Sequence, residues 1–208
     1  MPLRFVIIGG GPAGHTAATY AARLGAQVTV IERDIMGGAA HLWDCIPSKT
    51  MIATGGAMSY AGRLRGMGLE HEQAELDLGL LGERVNGIVN KLNKAAVDLL
   101  TSQRVTMIKG TGRLVGPHEV EVTTVDGTSR IPADAVLVST GSRPRIPDFC
   151  QPDGDRILTT RDCYPPKSMP EHLVVIGSGV TGVEFVHMFT SLGSKVTLVV
   201  SRQQVLPA

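Results

Sequence analysis

The stretch VIIGGGPAG, residues 6–14, decides the fold of this chain, and VVIGSGVTG, residues 174–182, has the same pattern. Each is a short apolar run followed by glycines at GxGxxG spacing: Gly9, Gly11 and Gly14 in the first, and Gly177, Gly179 and Gly182 in the second. Such glycines allow a sharp turn from a strand into a helix and let a pyrophosphate approach the helix N-terminus. The sequence therefore predicts an α/β, Rossmann-like fold with two dinucleotide-binding sites.

Regular structure is predicted on both sides of the first glycine turn. Helical spacing of small and apolar residues predicts a helix over residues 12–24 that ends at Gly25, and a long amphipathic helix over residues 76–103. Short apolar runs predict strands at residues 5–8, 28–31, 105–108 and 135–138. A small β-meander is expected at residues 112–115, 120–124 and 129–131, before a proline-rich linker and a strand at residues 173–176.

The residue after the second strand of each βαβ unit bears on which nucleotide binds. Glu32 follows Gly14 by 18 positions and suits the hydroxyls of a ribose. From Gly9 to Glu32 is 23 positions, and the same step from Gly177 lands on Val200. Ser201 and Arg202 follow, and their side chains can hydrogen-bond to a 2′-phosphate. The second site is therefore expected to accept NADPH. Gly182 argues in the other direction, because alanine is common there in NADP sites, so NADH stays open.

Composition excludes several other classes of function. The net charge of +1 argues against a nucleic-acid surface, and no apolar run is long enough to span a membrane. The first strand begins so early that no room is left for a signal peptide, which favours the cytoplasm. The three cysteines are odd in number and far apart, which is not a disulfide framework.

Three further motifs carry a resemblance to a known family. They are GGAAHLWDCIPSK at residues 37–49, STGSRP at residues 139–144 and GSGVTGVEF at residues 177–185. Together with the two glycine motifs they resemble the flavoprotein disulfide reductases, a family that includes lipoamide dehydrogenase, glutathione reductase and mercuric reductase. The resemblance implies FAD at the first site and NAD(P)H at the second. It implies an FAD-binding domain over residues 1–148, and a linker and the first half of an NAD(P)-binding domain over residues 149–208.

The resemblance also assigns roles to individual residues. Glu32 would bind the adenosine ribose, Gly112 would lie by the adenine, and Lys49 would lie near the reactive edge of the flavin and pair with Glu184. Residues 140–142 would pass close to the FAD. The full set of expected cofactor-binding residues is Gly9, Gly11, Pro12, Ala13, Gly14, Glu32, Arg33, Gly38, Ala39, Ala40, Lys49, Gly112, Thr140, Gly141, Ser142, Gly177, Gly179, Val180, Gly182, Val200, Ser201 and Arg202. No metal ligand is expected.

One departure from the family pattern limits the chemistry. The family places two cysteines in a CxxxxC motif beside the flavin, but here the first position is Ala40 and only the second, Cys45, remains. No dithiol can form within this motif, and Cys150 and Cys163 lie far away in a linker. Disulfide reduction by thiol exchange is therefore not expected. The catalytic candidates are Cys45, Lys49 and Glu184.

The segment between positions 40 and 45 is also changed. His41, Trp43 and Asp44 replace residues that are small or apolar in most of the family. Trp43 could stack on a flat acceptor or fill space near the flavin.

The function implied by this resemblance is hydride transfer from NAD(P)H through FAD to a quinone, because a branch without the disulfide comprises NAD(P)H:quinone reductases. A soluble pyridine nucleotide transhydrogenase or a dihydrolipoamide dehydrogenase-like enzyme is the alternative. A non-catalytic nucleotide-binding fragment is the second, because the chain is expected to be the N-terminal part of a longer enzyme. By resemblance, that enzyme would be a homodimer.

Overall fold

The computed structural model describes residues 1–70, 74–201 and 204–206, and it is an α/β structure with parallel sheets. Its elements, in chain order, are β1 (Arg4–Ile8), α1 (Pro12–Arg23), β2 (Gln27–Glu32), α2 (Gly38–Leu42), α3 (Cys45–Ala61), α4 (Leu78–Ser102), β3 (Thr106–Lys109), β4 (Thr111–Gly116), β5 (Glu119–Thr124), β6 (Gly127–Pro132), β7 (Ala135–Val138), β8 (His172–Ile176), α5 (Val180–Ser191) and β9 (Lys195–Val199).

The chain divides into two compact units. The first is Met1–Asp44 with Ile88–Arg145, and the second is Cys45–Gly87 with Ile146–Ala208. The first glycine motif lies in the first unit, whereas the CIPSK segment and the second glycine motif lie in the second. The predicted domain boundary near residue 148 stays a prediction.

A parallel sheet in the order β3-β2-β1-β7 forms the centre of the first unit. Its strands are apolar on both faces because both faces are covered. Ile7, Val28 and Val30 pack on one side with apolar residues of α1 and of the second half of α4. The predicted strands and both predicted helices are present, with ends shifted by one or two residues.

The opposite face of this sheet is covered by the predicted meander. Strands β4, β5 and β6 form an antiparallel sheet, and its tight turn contains Gly127 at φ +131°. Val120 and Val122 of β5 are fully buried and pack in one cluster with Ile8 and Ile31. The meander therefore closes the core of the first unit on the side opposite α1.

The second unit contains a parallel pair, β8 and β9, joined by α5. One face of the pair packs on α5, and α3 packs on α5 as well. The ring of Phe185 on α5 contacts Tyr164 edge-on and stacks with Phe189. These contacts fix α5 and the residues on it.

Helix α3 and the short α2 have no counterpart among the predicted elements. Two glycines in the interior of α3, Gly55 and Gly56, lower its helix propensity, and Pro47 reads in the sequence as a helix breaker. Pro47 is tolerated because the first turn of a helix needs no N–H donor there. The buried residues Pro47, Met51 and Gly55 recur every fourth position, so tertiary packing of one stripe stabilises this helix.

Within the described ranges, no helix combines the length and the apolar composition needed to cross a bilayer.

Candidate functional site

Two of the three glycines in the first motif are required by the fold itself. Gly9 has φ +107°, and a Cβ on it would collide with the backbone carbonyl of Ser139. A Cβ on Gly14 would collide with the carbonyl oxygen of Gly9. The sharp turn from β1 into α1 is therefore held by contacts within the protein.

Gly11 is a glycine of another kind. Its φ of −66° and ψ of −175° suit any residue, and a Cβ on it would meet no described atom within 4 Å. It precedes α1, whose N-terminus has no side-chain cap in the described part of the chain. The free N–H groups and positive dipole end of α1 attract an anion, and Gly11 leaves its approach open. This arrangement, with Pro12 and Ala13 in the first turn, fits a pyrophosphate.

The second motif has the same two kinds of glycine. Gly177 has φ +116°, and a Cβ on Gly182 would collide with the carbonyl oxygen of Gly177. Gly179 has φ −72°, and no described atom lies within 4 Å of a Cβ built on it. The turn itself requires Gly182. The presence of glycine there is therefore weaker evidence for a preference for NADH over NADPH than the sequence pattern suggested.

Glu32 links the end of β2 to the first turn. Its carboxylate is buried, and it accepts hydrogen bonds from the backbone N–H of Gly10 at 2.7 Å and of Asp34 at 2.7 Å. Each carboxylate oxygen can accept a second hydrogen bond, so ribose hydroxyls remain acceptable ligands. Arg33 points its guanidinium to Asp34 at 3.3 Å on the surface.

The N-terminus of α2 lies directly against the first turn. The N–H of Gly37 donates to the carbonyl of Gly10 at 2.8 Å, and a Cβ on Gly38 would lie 3.0 Å from the Cα of Gly11. Gly38 thus sits at the open glycine of the motif, and the half-buried Ala39 and Ala40 follow it in α2.

The end of β7 contributes a residue that sequence reasoning missed. The hydroxyl of Ser139 donates to the carbonyl of Gly9 at 2.9 Å, which fixes the peptide at the start of the turn. The exposed residues Thr140, Gly141 and Ser142 follow at the same sheet edge, because Val138 pairs with Ile8. Ser139 is the first residue of the STGSRP motif, but the resemblance assigned a role near the FAD only to residues 140–142.

The packing of β4 on the parallel sheet explains why position 112 is glycine. A Cβ on it would lie 3.1 Å from the side chain of Ile8 and 3.2 Å from that of Ile31, so a larger residue there would force these side chains to shift by a few tenths of an ångström. Its proximity to an adenine stays a prediction.

Lys49 and Glu184 are brought together in the second unit. Nζ of Lys49 lies 2.6 Å from Oε1 of Glu184, joining the second turn of α3 to α5. The Lys49 side chain is 56% exposed and Glu184 29%, so solvent screens the pair and it contributes little to stability. Cys45, the first residue of α3, is exposed one turn before Lys49. Their roles at a flavin stay predictions.

The three cysteines differ in environment, and none is in a disulfide. Cys163 is buried, and that burial raises the pKa of its thiol to about 12, with the nearby Asp162 carboxylate adding to the effect. A thiol with this pKa is a poor nucleophile. Cys150 is half-buried in the linker. Cys45 is the exposed thiol of the three.

The residues after β9 are described only in part. Val180 in the first turn of α5 is exposed, and so are Val200 and Ser201 after β9. Arg202, the predicted partner of a 2′-phosphate, lies outside the described residues. The NADPH preference stays a prediction.

Residues 3–208 match the family described as pyridine nucleotide-disulphide oxidoreductase. The chain belongs to this family. The predicted cofactors, FAD and NAD(P)H, are those that this family of oxidoreductases uses. The recognition made from the sequence motifs and the predicted fold class are thereby confirmed.

Curated relatives align with all or nearly all of this chain. It is 44% identical to the NAD(P)H dehydrogenase (quinone) of Mycobacterium tuberculosis over 219 residues, covering 100% of this chain and 44% of the relative. It is 34% identical to the dihydrolipoyl dehydrogenase of Chlorobaculum tepidum over 203 residues, covering 97% and 43%. The chain therefore spans less than half the length of these curated relatives.

Solved structures show the same fold. The crystal structure of LpdA from Mycobacterium tuberculosis has a TM-score of 0.91 at 44% identity and covers 99% of this chain and 46% of that one. The flavoprotein disulfide reductase RclA from Escherichia coli has a TM-score of 0.79 at 28% identity, covering 100% and 44%.

Proposed function

We propose that this chain carries the FAD-binding and NAD(P)H-binding residues of an oxidoreductase that passes hydride from NAD(P)H through FAD to a quinone-type acceptor. The observation that carries the proposal is the open glycine at the middle of each motif. Neither Gly11 nor Gly179 needs to be glycine for its backbone or its described neighbours. A ligand phosphate that approaches the backbone explains both.

Different residues around the first turn would bind different parts of FAD. The N-terminus of α1 would bind the pyrophosphate, with Gly11 and Gly38 leaving its path free. Glu32 would bind the ribose while it holds the Gly10 peptide. When bound, FAD supplies the acceptance and release of hydride, and the protein supplies binding, orientation and electrostatics.

Lys49 and Glu184 would control charge beside the flavin. Glu184 accepts the 2.6 Å hydrogen bond of Lys49 and thereby fixes the direction of its ammonium group. A positive charge held at this position would favour negative charge that develops on the flavin.

Two observations support a quinone rather than a disulfide as acceptor. Alanine occupies position 40, where the family pattern has the first cysteine, so Cys45 has no partner in this motif. In addition, the relative with 44% identity carries the name NAD(P)H dehydrogenase (quinone). Dihydrolipoyl dehydrogenases at 34% identity are the relatives that would favour the disulfide reaction. The homodimer and the cytoplasmic location stay predictions.

The test is anaerobic reduction of the purified yellow protein by NADPH, followed by separate addition of a naphthoquinone, lipoamide or a thio-analogue of NAD⁺. We expect NADPH to bleach the flavin and the naphthoquinone to restore its colour within turnover time. Recovery with lipoamide alone would replace the quinone by a disulfide, and recovery with the NAD⁺ analogue alone would indicate a transhydrogenase. A protein that binds no FAD, or whose flavin NADPH leaves oxidised, would contradict the proposal.

A further inference from the structure

Helices α3 and α5 meet at two places that occur in the same order along both helices. Lys49 of α3 contacts Glu184 of α5, and Gly55 of α3 lies against Ser191 of α5. At 1.5 Å of rise per residue, these places are about 9 Å apart on α3 and about 10.5 Å apart on α5. The helices therefore run parallel and nearly in register between them.

The contact at Gly55 is too close for any side chain. Gly55 is buried, and a Cβ on it would lie 2.8 Å from Cβ of Ser191 and 3.5 Å from its backbone carbonyl carbon. Real Cβ contacts below 3.0 Å do not occur, and neither atom can turn aside, because both are fixed to the backbone of α5. A methyl group at position 55 must therefore push the two helices apart.

The adjacent glycine provides a matched comparison. Gly56 is exposed, and a Cβ on it would meet no described atom within 4 Å. Both glycines lie in the interior of α3 and carry the same cost in helix propensity. They differ in whether α5 lies beside them.

The helices transmit a change of spacing from this contact to the ion pair. Between the two places, Met51 of α3 and Met188 of α5 are fully buried, and a packed interior adjusts by moving whole elements. Separating the helices at Ser191 would therefore strain the contact between Lys49 and Glu184, which lies six residues away on α3 and seven residues away on α5.

We propose that Gly55 is a positioning residue: its close contact with Ser191 sets the spacing of α3 and α5 and so holds Lys49 and Glu184 at ion-pair distance. The catalytic consequence rests on the proposed function, in which this pair lies beside the flavin. The contact itself does not depend on that function.

The experiment compares Gly55→Ala, Gly56→Ala and the double variant Gly55→Ala/Ser191→Gly. Removing the Cβ of Ser191 makes room for the new methyl group, so the double variant restores the spacing. Without cofactor, we expect Gly55→Ala to lower the unfolding temperature, Gly56→Ala to leave it unchanged or raise it, and the double variant to recover it. A crystal structure of Gly55→Ala is expected to show Nζ of Lys49 and Oε1 of Glu184 beyond ion-pair distance.

With cofactors bound, we expect Gly55→Ala to lower kcat for quinone reduction about tenfold while KM for NADPH changes little, because misplaced groups cost rate more than binding. The second readout is kcat of Gly55→Ala measured in the Glu184→Gln background as well as in the wild-type background. If Gly55 acts through the ion pair, Gly55→Ala lowers kcat far less in the Glu184→Gln background than in the wild type. A purely structural role would lower kcat equally in both backgrounds.

Three results would overturn the proposal: an unchanged Lys49–Glu184 distance in Gly55→Ala, no recovery in the double variant, or additive effects with Glu184→Gln. If the wild-type protein itself reduces no quinone with NADPH, the proposed function fails. The unfolding temperatures and the crystal structure then still decide whether Gly55 sets the ion-pair distance.

Discussion

At the scale of single residues, the glycines of one motif serve two different purposes. Gly9 and Gly14 are required by the chain, since a Cβ on either would collide with backbone carbonyl groups. Gly11 is required by no described neighbour and has an ordinary backbone conformation. Substitution by alanine separates the two purposes.

We expect Gly11→Ala to leave the apoprotein intact and to block FAD. Its free energy of unfolding should stay the same or rise by about 0.5 kcal/mol, because alanine restricts the unfolded chain. The dissociation constant for FAD should rise more than about tenfold, since a methyl group occupies the path of the pyrophosphate. Urea unfolding and fluorescence titration with FAD measure the two quantities.

Gly14→Ala is the matched variant for this comparison. Forcing its methyl group against the Gly9 carbonyl should destabilise the apoprotein by about 1–3 kcal/mol and also weaken FAD binding. Equal FAD affinity in Gly11→Ala and wild type would refute the assignment of the first motif.

A second prediction at this scale concerns acid stability. The guanidinium of Arg4 donates two hydrogen bonds to the carboxylate of Asp134, and with a further bond from the Arg4 backbone it lowers the pKa of Asp134 from 3.8 to about 2. A pKa lowered by folding stabilises the fold above the unfolded value, and this stabilisation is lost as pH falls through the folded value.

We therefore expect the stability difference between wild type and Asp134→Asn to be constant above pH 3.8 and to shrink as the pH falls towards about 2. Thermal unfolding of both proteins from pH 2 to pH 6 measures it. A difference that stays constant down to pH 2 would show that the Arg4 contact does not perturb this carboxylate.

Some of these residue-scale features could be read from the sequence and others could not. The spacing of the glycines and of Glu32 is a local pattern, and a family resemblance brought Lys49 and Glu184 together across 135 positions. Ser139 and the hydrogen bond from Gly10 to Glu32 were not foreseen. They join side chains to backbone groups distant in sequence, and no residue pattern encodes such partners.

At the scale of elements, packing decides where residue preference is ambiguous. Strands β1 and β2 were predictable because a strand buried on both faces reads as a continuous apolar run. Helix α3 was not, because its two glycines lower its intrinsic propensity and its stability depends on the stripe that includes Met51. A helix held in place by packing should be sensitive to that stripe.

We expect Met51→Ala to destabilise the protein by about 2–5 kcal/mol, since Met51 is fully buried and its loss leaves a cavity. Met67→Ala serves as the control, because Met67 is 63% exposed and should change stability by less than about 0.5 kcal/mol. Urea unfolding followed by circular dichroism gives both values. Similar losses in the two variants would mean that α3 does not depend on this stripe.

At the scale of the whole molecule, each compact unit contains one glycine motif. A ligand that binds only the folded state stabilises it by mass action, by about 2.7 kcal/mol at one hundred times its dissociation constant. Two separate motifs should therefore respond to two different nucleotides.

We expect FAD and NADPH each to raise the unfolding temperature of the purified protein. Gly11→Ala should abolish the response to FAD and keep the response to NADPH, whereas Gly179→Ala should do the reverse. Differential scanning fluorimetry with each nucleotide alone measures the four combinations. Loss of both responses in either variant would contradict an assignment of one nucleotide to each motif.

The turn after β1 has a consequence for the strength of ligand binding. Contacts with Ser139, Glu32 and Gly37 hold its peptides in place, and all of them are made by the polypeptide itself. We therefore expect the turn to be preorganised, so that the cost of ordering this loop would not reduce the affinity for the proposed dinucleotide.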